Sequence, residues 1–242
     1  MLGTVLILSE LWKQYTLTYI LNNGAYQWSY IPFQLCSMPM YLCVLIYVLR
    51  KTRIREVMIG FLADYSLMSG LVTFLDTTGL HYGYAPLTIH SYLWHVTIAC
   101  IGAFSGILLH YRGKYSDKNA FFGHGSEKQG LLHKASEDAQ RAKINANKRD
   151  IKGRSLGDFV TETLIFLIGC ITAEIINLSF DKYGVVDMFY INPHYYLNQI
   201  VFNDLTKIIP NNAVIVLYIL CVIAAAFLVH LGWMLFDRKA GK

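Results

Sequence analysis

The sequence predicts an all-α, polytopic integral membrane bundle of six transmembrane helices with both termini in the cytosol. Three observations predict it: apolar runs near twenty residues long, a shortage of charge, and Lys/Arg confined to alternate loops. Hydrophobic residues make up 55% of the 242 and charged residues only 15%, against roughly a quarter charged in soluble domains. Six helices crossing a ~30 Å hydrocarbon core at about 20 residues each use about half of such a chain. Residues 1–242 therefore read as a single transmembrane domain.

The clearest span is Ala213–Phe236, which holds no Asp, Glu, Lys or Arg. Leu87–Leu109 and Ile31–Leu49 are nearly as apolar. Val57–Leu75 carries Asp64, and Phe159–Leu178 carries Glu162 near one end and Glu174 near the other. Leu2–Leu21 is the weakest, because Glu10, Trp12, Lys13 and Gln14 interrupt it. Its start lacks the basic region and small-residue cleavage site of a signal peptide.

Loop charge sets the orientation. Arg50, Lys51, Arg53 and Arg55 share one short loop, further Lys/Arg crowd Arg112–Arg154, and Arg238, Lys239 and Lys242 end the chain. These regions read as cytosolic by the positive-inside rule. The intervening loops hold only Lys182 and Lys207, so six crossings satisfy strict alternation. Residues 111–157 form a polar cytosolic connecting loop, in which Ser126–Arg154 is able to form a surface helix. Residues 179–212, rich in Tyr, Phe, Asn and Pro, suit an outer interfacial loop.

The net charge of +5 belongs to these loops and implies no nucleic-acid partner. Cys36, Cys43, Cys100, Cys170 and Cys221 show no CxxC or Cys/His spacing, so neither a disulfide framework nor a metal site is expected. No cofactor is implied.

Ionisable groups in hydrocarbon cost at least ~2.5 kcal/mol and need a partner, a cavity or a function. Counted inward from the outer edge, Cys36 and His95 lie at similar depth, roughly 7–13 Å down. Glu174 and Asn177 occupy the outer end of the fifth span and share a face with Cys170. His95 shares a stripe with Ala99, Gly102 and Gly106, the small-residue spacing that lets helices approach. His90 lies about 140° away around the helix and suits the interface. Pro32 and Pro39 bracket Cys36, so the helix start there should be distorted and line a cavity. Asp64 lies in the inner half of its span and reads as a packing or folding group. Taken singly, His95 and Cys36 also suit structural roles, since buried free cysteine behaves as a small hydrophobe.

The run Ile31-Pro32-Phe33-Gln34-Leu35-Cys36-Ser37-Met38-Pro39-Met40-Tyr41-Leu42 resembles the LPLxLCSI-type signature of YwaF-like bacterial membrane proteins, relatives of a vertebrate transmembrane cysteine-dependent phospholipid acyltransferase. Ser91-Tyr92-Leu93-Trp94-His95 is similar to the aromatic segment that ends in the family histidine. Asp187-Met188-Phe189-Tyr190 is similar to an NYMFL-like motif, with Asp187 where Asn is usual. The family usually has one more N-terminal span and a shorter loop in place of 111–157.

The resemblance implies a membrane-embedded acyltransferase or acyl hydrolase in a bacterial cytoplasmic membrane. Cys36 would be its nucleophile, His95 its base, and a phospholipid or lysophospholipid its partner. Gln34 and Ser37 are candidates to stabilise an oxyanion, and Glu174 and Asn177 to orient the imidazole. The rival readings are a small transporter or lipid-binding protein using the same residues as ligands, and a non-enzymatic scaffold. No motif specifies the lipid or the oligomeric state.

Overall fold

The computed structural model describes residues 2–49, 53–121, 154–197 and 199–240. Its helices are α1 (Leu2–Tyr15), α2 (Met38–Val48), α3 (Arg53–Phe61), α4 (Leu67–Val72), α5 (Ala85–Phe121), α6 (Leu156–Phe180), α7 (Ile200–Leu205) and α8 (Asn211–Ala240). There is no strand among the described residues. Most of the expected surface helix, residues 126–153, lies outside them.

Four helical stretches are long and apolar enough to cross a membrane: Arg53–Leu75, Ala85–Arg112, Leu156–Tyr183 and Asn211–Arg238. The first two expected spans fare differently. Leu2–Leu21 is continuous, α1 passing into a widened π turn over Thr16–Leu21, but it keeps its charged residues. It ends at Asn23 and Gly24, both at positive φ. There the Gly24 N–H returns to the Thr18 carbonyl at 2.8 Å, a closure over seven residues made at a glycine, for which positive φ carries little penalty. The expected helix from Ile31 is shorter than its apolar run: Pro32 and its neighbours are irregular, Leu35–Ser37 is a 3-10 turn, and α2 begins only at Met38. Leu35–Val48 is thus a short apolar helix, about 21 Å long at 1.5 Å per residue.

Elsewhere local chemistry fixes the boundaries. Ser155 and Asp158 form a reciprocal capping box that starts α6, satisfying amides that would otherwise lack acceptors. α3 and α4 are joined by a π turn over Leu62–Ser66, an irregularity common at functional sites.

The bundle has two distinguishable ends. At the basic end Arg112 meets Glu56 at 2.7 Å and Arg154 lies 3.9 Å from Asp237. At the loop end Trp28 stacks on Tyr183, and Asn211 donates to the carbonyls of Pro193 and Tyr195. Between the ends, Phe61, Tyr65, Phe166 and Ile98 are fully buried, and Tyr65 stacks between Phe61 and Phe166.

Polarity is arranged inside out. On α6, Leu164, Ile168, Ile171, Ile175 and Leu178 are exposed, while Glu162, Cys170, Ala173 and Asn177 are buried. Exposed apolar rows with charge turned inward suit a lipid surround and not water.

Small residues bring the helices together, as packing without a hydrophobic driving force requires. A Cβ on Gly70 would stand 2.8 Å from Ala99 Cβ, and one on Gly102 would stand 2.5 Å from the Leu67 nitrogen. A Cβ on Gly106 would run into the Trp233 ring. Gly232 faces open space. Gly102→Leu should therefore destabilise by more than the ~1–3 kcal/mol typical of overpacking, because its obstacle is backbone. Gly232→Ala should be neutral or stabilising by up to ~1 kcal/mol. Thermal unfolding of the detergent-solubilised variants measures both.

Candidate functional site

Cys36 sits in the 3-10 turn ahead of α2 and is half-buried. Pro39 has no N–H to give the Leu35 carbonyl, which accepts from Met38 instead. The Cys36 carbonyl accepts the Trp94 indole N–H at 3.1 Å, and this bond holds the thiol-bearing turn against α5 at the residue that precedes His95. His95 is 9% exposed. Its Nδ1 donates to the Ser91 carbonyl at 2.8 Å, which leaves Nε2 as the basic nitrogen of a neutral ring. Among the described residues no hydrogen bond joins His95 to Cys36, and Trp94 is the link between them. Ser37 is buried next to the thiol.

Gln34 and Asn177 have other work. Gln34 Nε2 donates to the Asp187 carbonyl at 2.8 Å, and its Oε1 accepts from Phe189 N–H at 2.7 Å. Asn177 accepts from Met188 N–H at 2.6 Å and donates to the Met188 carbonyl at 3.2 Å. Two amides, Gln34 from the irregular segment ahead of α2 and Asn177 from α6, thus grip three successive residues of the loop. The grip matters because Phe189 and Tyr190 both lie at φ 58°, a left-handed conformation costing non-glycine residues roughly 1–2 kcal/mol each. Both ends of each amide are thus engaged by the loop, although Gln34 Nε2 gives only one of its two N–H groups to it. Glu174 meets Asn177 at 3.5 Å.

A second polar group faces the same end. Glu10 is buried and bound by Lys13 at 2.9 Å and Gln14 at 2.7 Å, so Lys13 pairs within α1 and not with Glu174. His90 bonds Ser9 at 2.8 Å and stacks near Trp12 and Trp94. Between α1 and α5 lies an apolar groove of about 260 Å³, lined by Leu2, Leu6, Ser9, His90, Leu93 and Trp94. Trp94 thus contributes to the groove wall while its N–H holds the Cys36 turn.

The basic end carries a centre that sequence reading did not assemble. His230 Nδ1 lies 2.6 Å from Asp64 Oδ2 and 3.7 Å from Glu162 Oε2, all three residues being buried. Arg154 approaches Asp64 Oδ1 at 3.5 Å, packs on the Trp233 ring and donates to the Gly106 carbonyl. Asp64, Glu162 and His230 present three ligand-type atoms within 4.8 Å of one another. Depth was the available signal. Each lies six to eleven residues from the basic end of its helix, but His230 escapes a search for Asp, Glu, Lys and Arg.

No family model, curated protein or solved structure matches the chain.

Burial pushes the Asp187 carboxyl up to about 6, opposed by the Asn192 N–H that it accepts and assisted by the Glu174 carboxylate. An acid whose folded pKa exceeds its unfolded value of ~3.9 keeps its proton longer in the folded state. Its stabilising contribution is present below about pH 4 and is lost as pH rises through 6. Asp187→Asn keeps an oxygen for the Asn192 amide, so it should flatten this part of the stability profile and stabilise the protein at pH 7. Unfolding midpoints between pH 4 and 8 test this, and an unchanged slope would refute it.

Proposed function

We propose that the chain is a six-span membrane protein, N-in and C-in, whose loop-end centre transfers or hydrolyses phospholipid acyl groups in a bacterial cytoplasmic membrane. Cys36 is the nucleophile and His95 the base. The observation that carries this reading is the Trp94–Cys36 bond, which sets a half-buried thiol on irregular backbone beside the helix bearing a histidine with a free Nε2. Irregular backbone at membrane depth is tolerated where it lines a cavity, and the adjoining apolar groove suits an acyl chain. The likeness of the Ile31–Leu42, Ser91–His95 and Asp187–Tyr190 segments to YwaF-like proteins supplies the reaction class.

The chemistry balances without a cofactor. A thiol of pKa near 8.5 is only a few per cent thiolate at pH 7, so it needs a base. His95 Nε2 takes the thiol proton, the sulfur attacks the ester carbonyl, and the C–O bond breaks. His95 returns the proton to the departing lysolipid oxygen. A lysophospholipid hydroxyl or water then attacks the thioester, its proton passes through His95 to the thiolate, and the enzyme is regenerated. The second N–H of the Gln34 amide and the Ser37 hydroxyl are the donors for the oxyanion.

Purified protein incubated with an acyl-labelled phospholipid should acquire hydroxylamine-sensitive label. The label should vanish in Cys36→Ala, and His95→Ala should abolish turnover while His90→Ala is largely tolerated. Folded Cys36→Ala with unchanged turnover would overturn the nucleophile assignment. A wild type that turns over no lipid would favour the transporter, lipid-binding or scaffold reading. For topology, reporters inserted near Ser126 and after Lys242 should both stay cytosolic. Protection of 183–210 on that same side would reject six spans.

A further inference from the structure

We propose that Asp64, Glu162 and His230 form a binding site for one divalent transition-metal ion of the zinc class, at the basic end of the bundle and independent of the acyl-transfer centre. The first support is the orientation of His230. Its Nε2 lies 3.2 Å from the Ser155 carbonyl, and a carbonyl only accepts, so Nε2 carries hydrogen. In the neutral ring Nδ1 is then a lone pair, and it faces the carboxylates of Asp64 and Glu162. Three electron-pair donors pointed at one another repel unless a proton or a metal ion lies among them. A ligating histidine that donates its other ring N–H to a backbone carbonyl is the usual outer-shell arrangement of metal sites.

The second support is the unmet capacity of the carboxylates. Asp64 Oδ1 and Glu162 Oε2 are buried and accept from no N–H or hydroxyl, although buried acceptors nearly always find a donor, so only a proton shared between the carboxyls or an ion can answer them. Arg154 brings charge to within 3.5 Å of Asp64 Oδ1 without a hydrogen bond. The third support is space made on the opposite helix: a Cβ at Gly60 would collide with the Glu162 carboxylate, so the glycine on α3 admits that side chain.

One imidazole and two carboxylates suit zinc, and a three-residue set leaves a fourth position open. The Nδ1–Oδ2 pair at 2.6 Å would part to about 3.3 Å, the edge of a tetrahedron with ~2.0 Å bonds. The 3.7 Å from Nδ1 to Glu162 Oε2 is already wide enough. The ion would join the π turn between α3 and α4 to α6 and α8, three elements distant in sequence.

The test is a titration of chelator-treated full-length protein in lipid nanodiscs with Co²⁺, followed by Zn²⁺. Wild type should take up one Co²⁺ per chain with a visible d–d band, lose the band to one equivalent of Zn²⁺, and unfold at a higher temperature when loaded. Asp64→Asn, Glu162→Gln and His230→Gln should each weaken binding by more than the ~10–100-fold that loss of an outer-shell partner costs. Glu56→Gln, an exposed change at the same end, should bind as wild type does. Folded wild type with no saturable uptake and no thermal shift would overturn the proposal, leaving a proton on His230 as the cation of the cluster. Uptake unchanged in all three ligand variants would overturn it equally. The wild-type titration decides even where a variant fails to fold, and neither result bears on Cys36.

Discussion

Hydrocarbon offers no partner to a polar group, so each N–H, carbonyl, hydroxyl and carboxylate placed at membrane depth has to be answered from within the protein. The architecture follows from that constraint. Hydroxyls on the long helices turn back to their own backbone: Thr97 to Leu93, Thr163 to Phe159 and Thr172 to Ile168. Groups that cannot be satisfied locally are drawn inward, which is why α6 buries Glu162 and Asn177 while exposing Ile168 and Ile175. Two of the places where backbone departs from the helix, the Cys36 turn and the Asp187–Tyr190 turn, are each held by side chains from other elements. Trp94 holds the first, and Gln34 with Asn177 holds the second.

How much of this could be read from the sequence depended on the range of the interaction. Four long apolar helices declare themselves because lipid exposure writes length and composition into contiguous residues. The distorted approach to α2 was legible for a similar reason, since Pro32 and Pro39 act on their own backbone. The roles of Gln34 and Asn177 were not legible. Their partners lie 153 to 155 and 11 residues away, and an amide bonded to backbone leaves no mark on the identity of the residue it grips. The Asp64–His230 contact spans 166 residues. Depth counting places both groups in the same layer, but only the packing of α8 against the π turn brings them into one cluster.

The two polar centres differ in how their charge is managed. At the basic end, Arg154 and Asp237 lie between the buried Asp64 cluster and the surface, with His110 bonded to Asp237 at 2.7 Å. Charge there is linked across helices, so displacing one helix would strand a buried carboxylate, an outcome that typically costs ~3–5 kcal/mol. The loop-end centre contains a thiol, an imidazole and tyrosines, and its nearest buried acid, Glu10, is neutralised from within its own helix by Lys13 at i+3.

That difference bears on how a lipid would reach Cys36. Because Glu10 is bound by Lys13 and Gln14 on α1 itself, no cross-helix ion pair fixes α1 to the bundle among the described residues. Its polar ties to the rest are neutral: Ser9 to His90 and Gln14 to the Tyr30 carbonyl. Neutral bonds contribute only about 1 kcal/mol each net, and the face that α1 turns to α5 is the apolar groove beside Trp94. Packing does hold α1 to α2, where a Cβ on Gly3 would stand 2.9 Å from Val44. The contact with α5 is therefore the weaker of its two sides. A lateral opening between α1 and α5 would expose the Trp94 side of the Cys36 turn without separating any buried charge pair. Under the proposed lipid chemistry, entry from the bilayer along that seam would cost less than entry through the clamped Asp187–Tyr190 loop, where four hydrogen bonds from Gln34 and Asn177 would have to break.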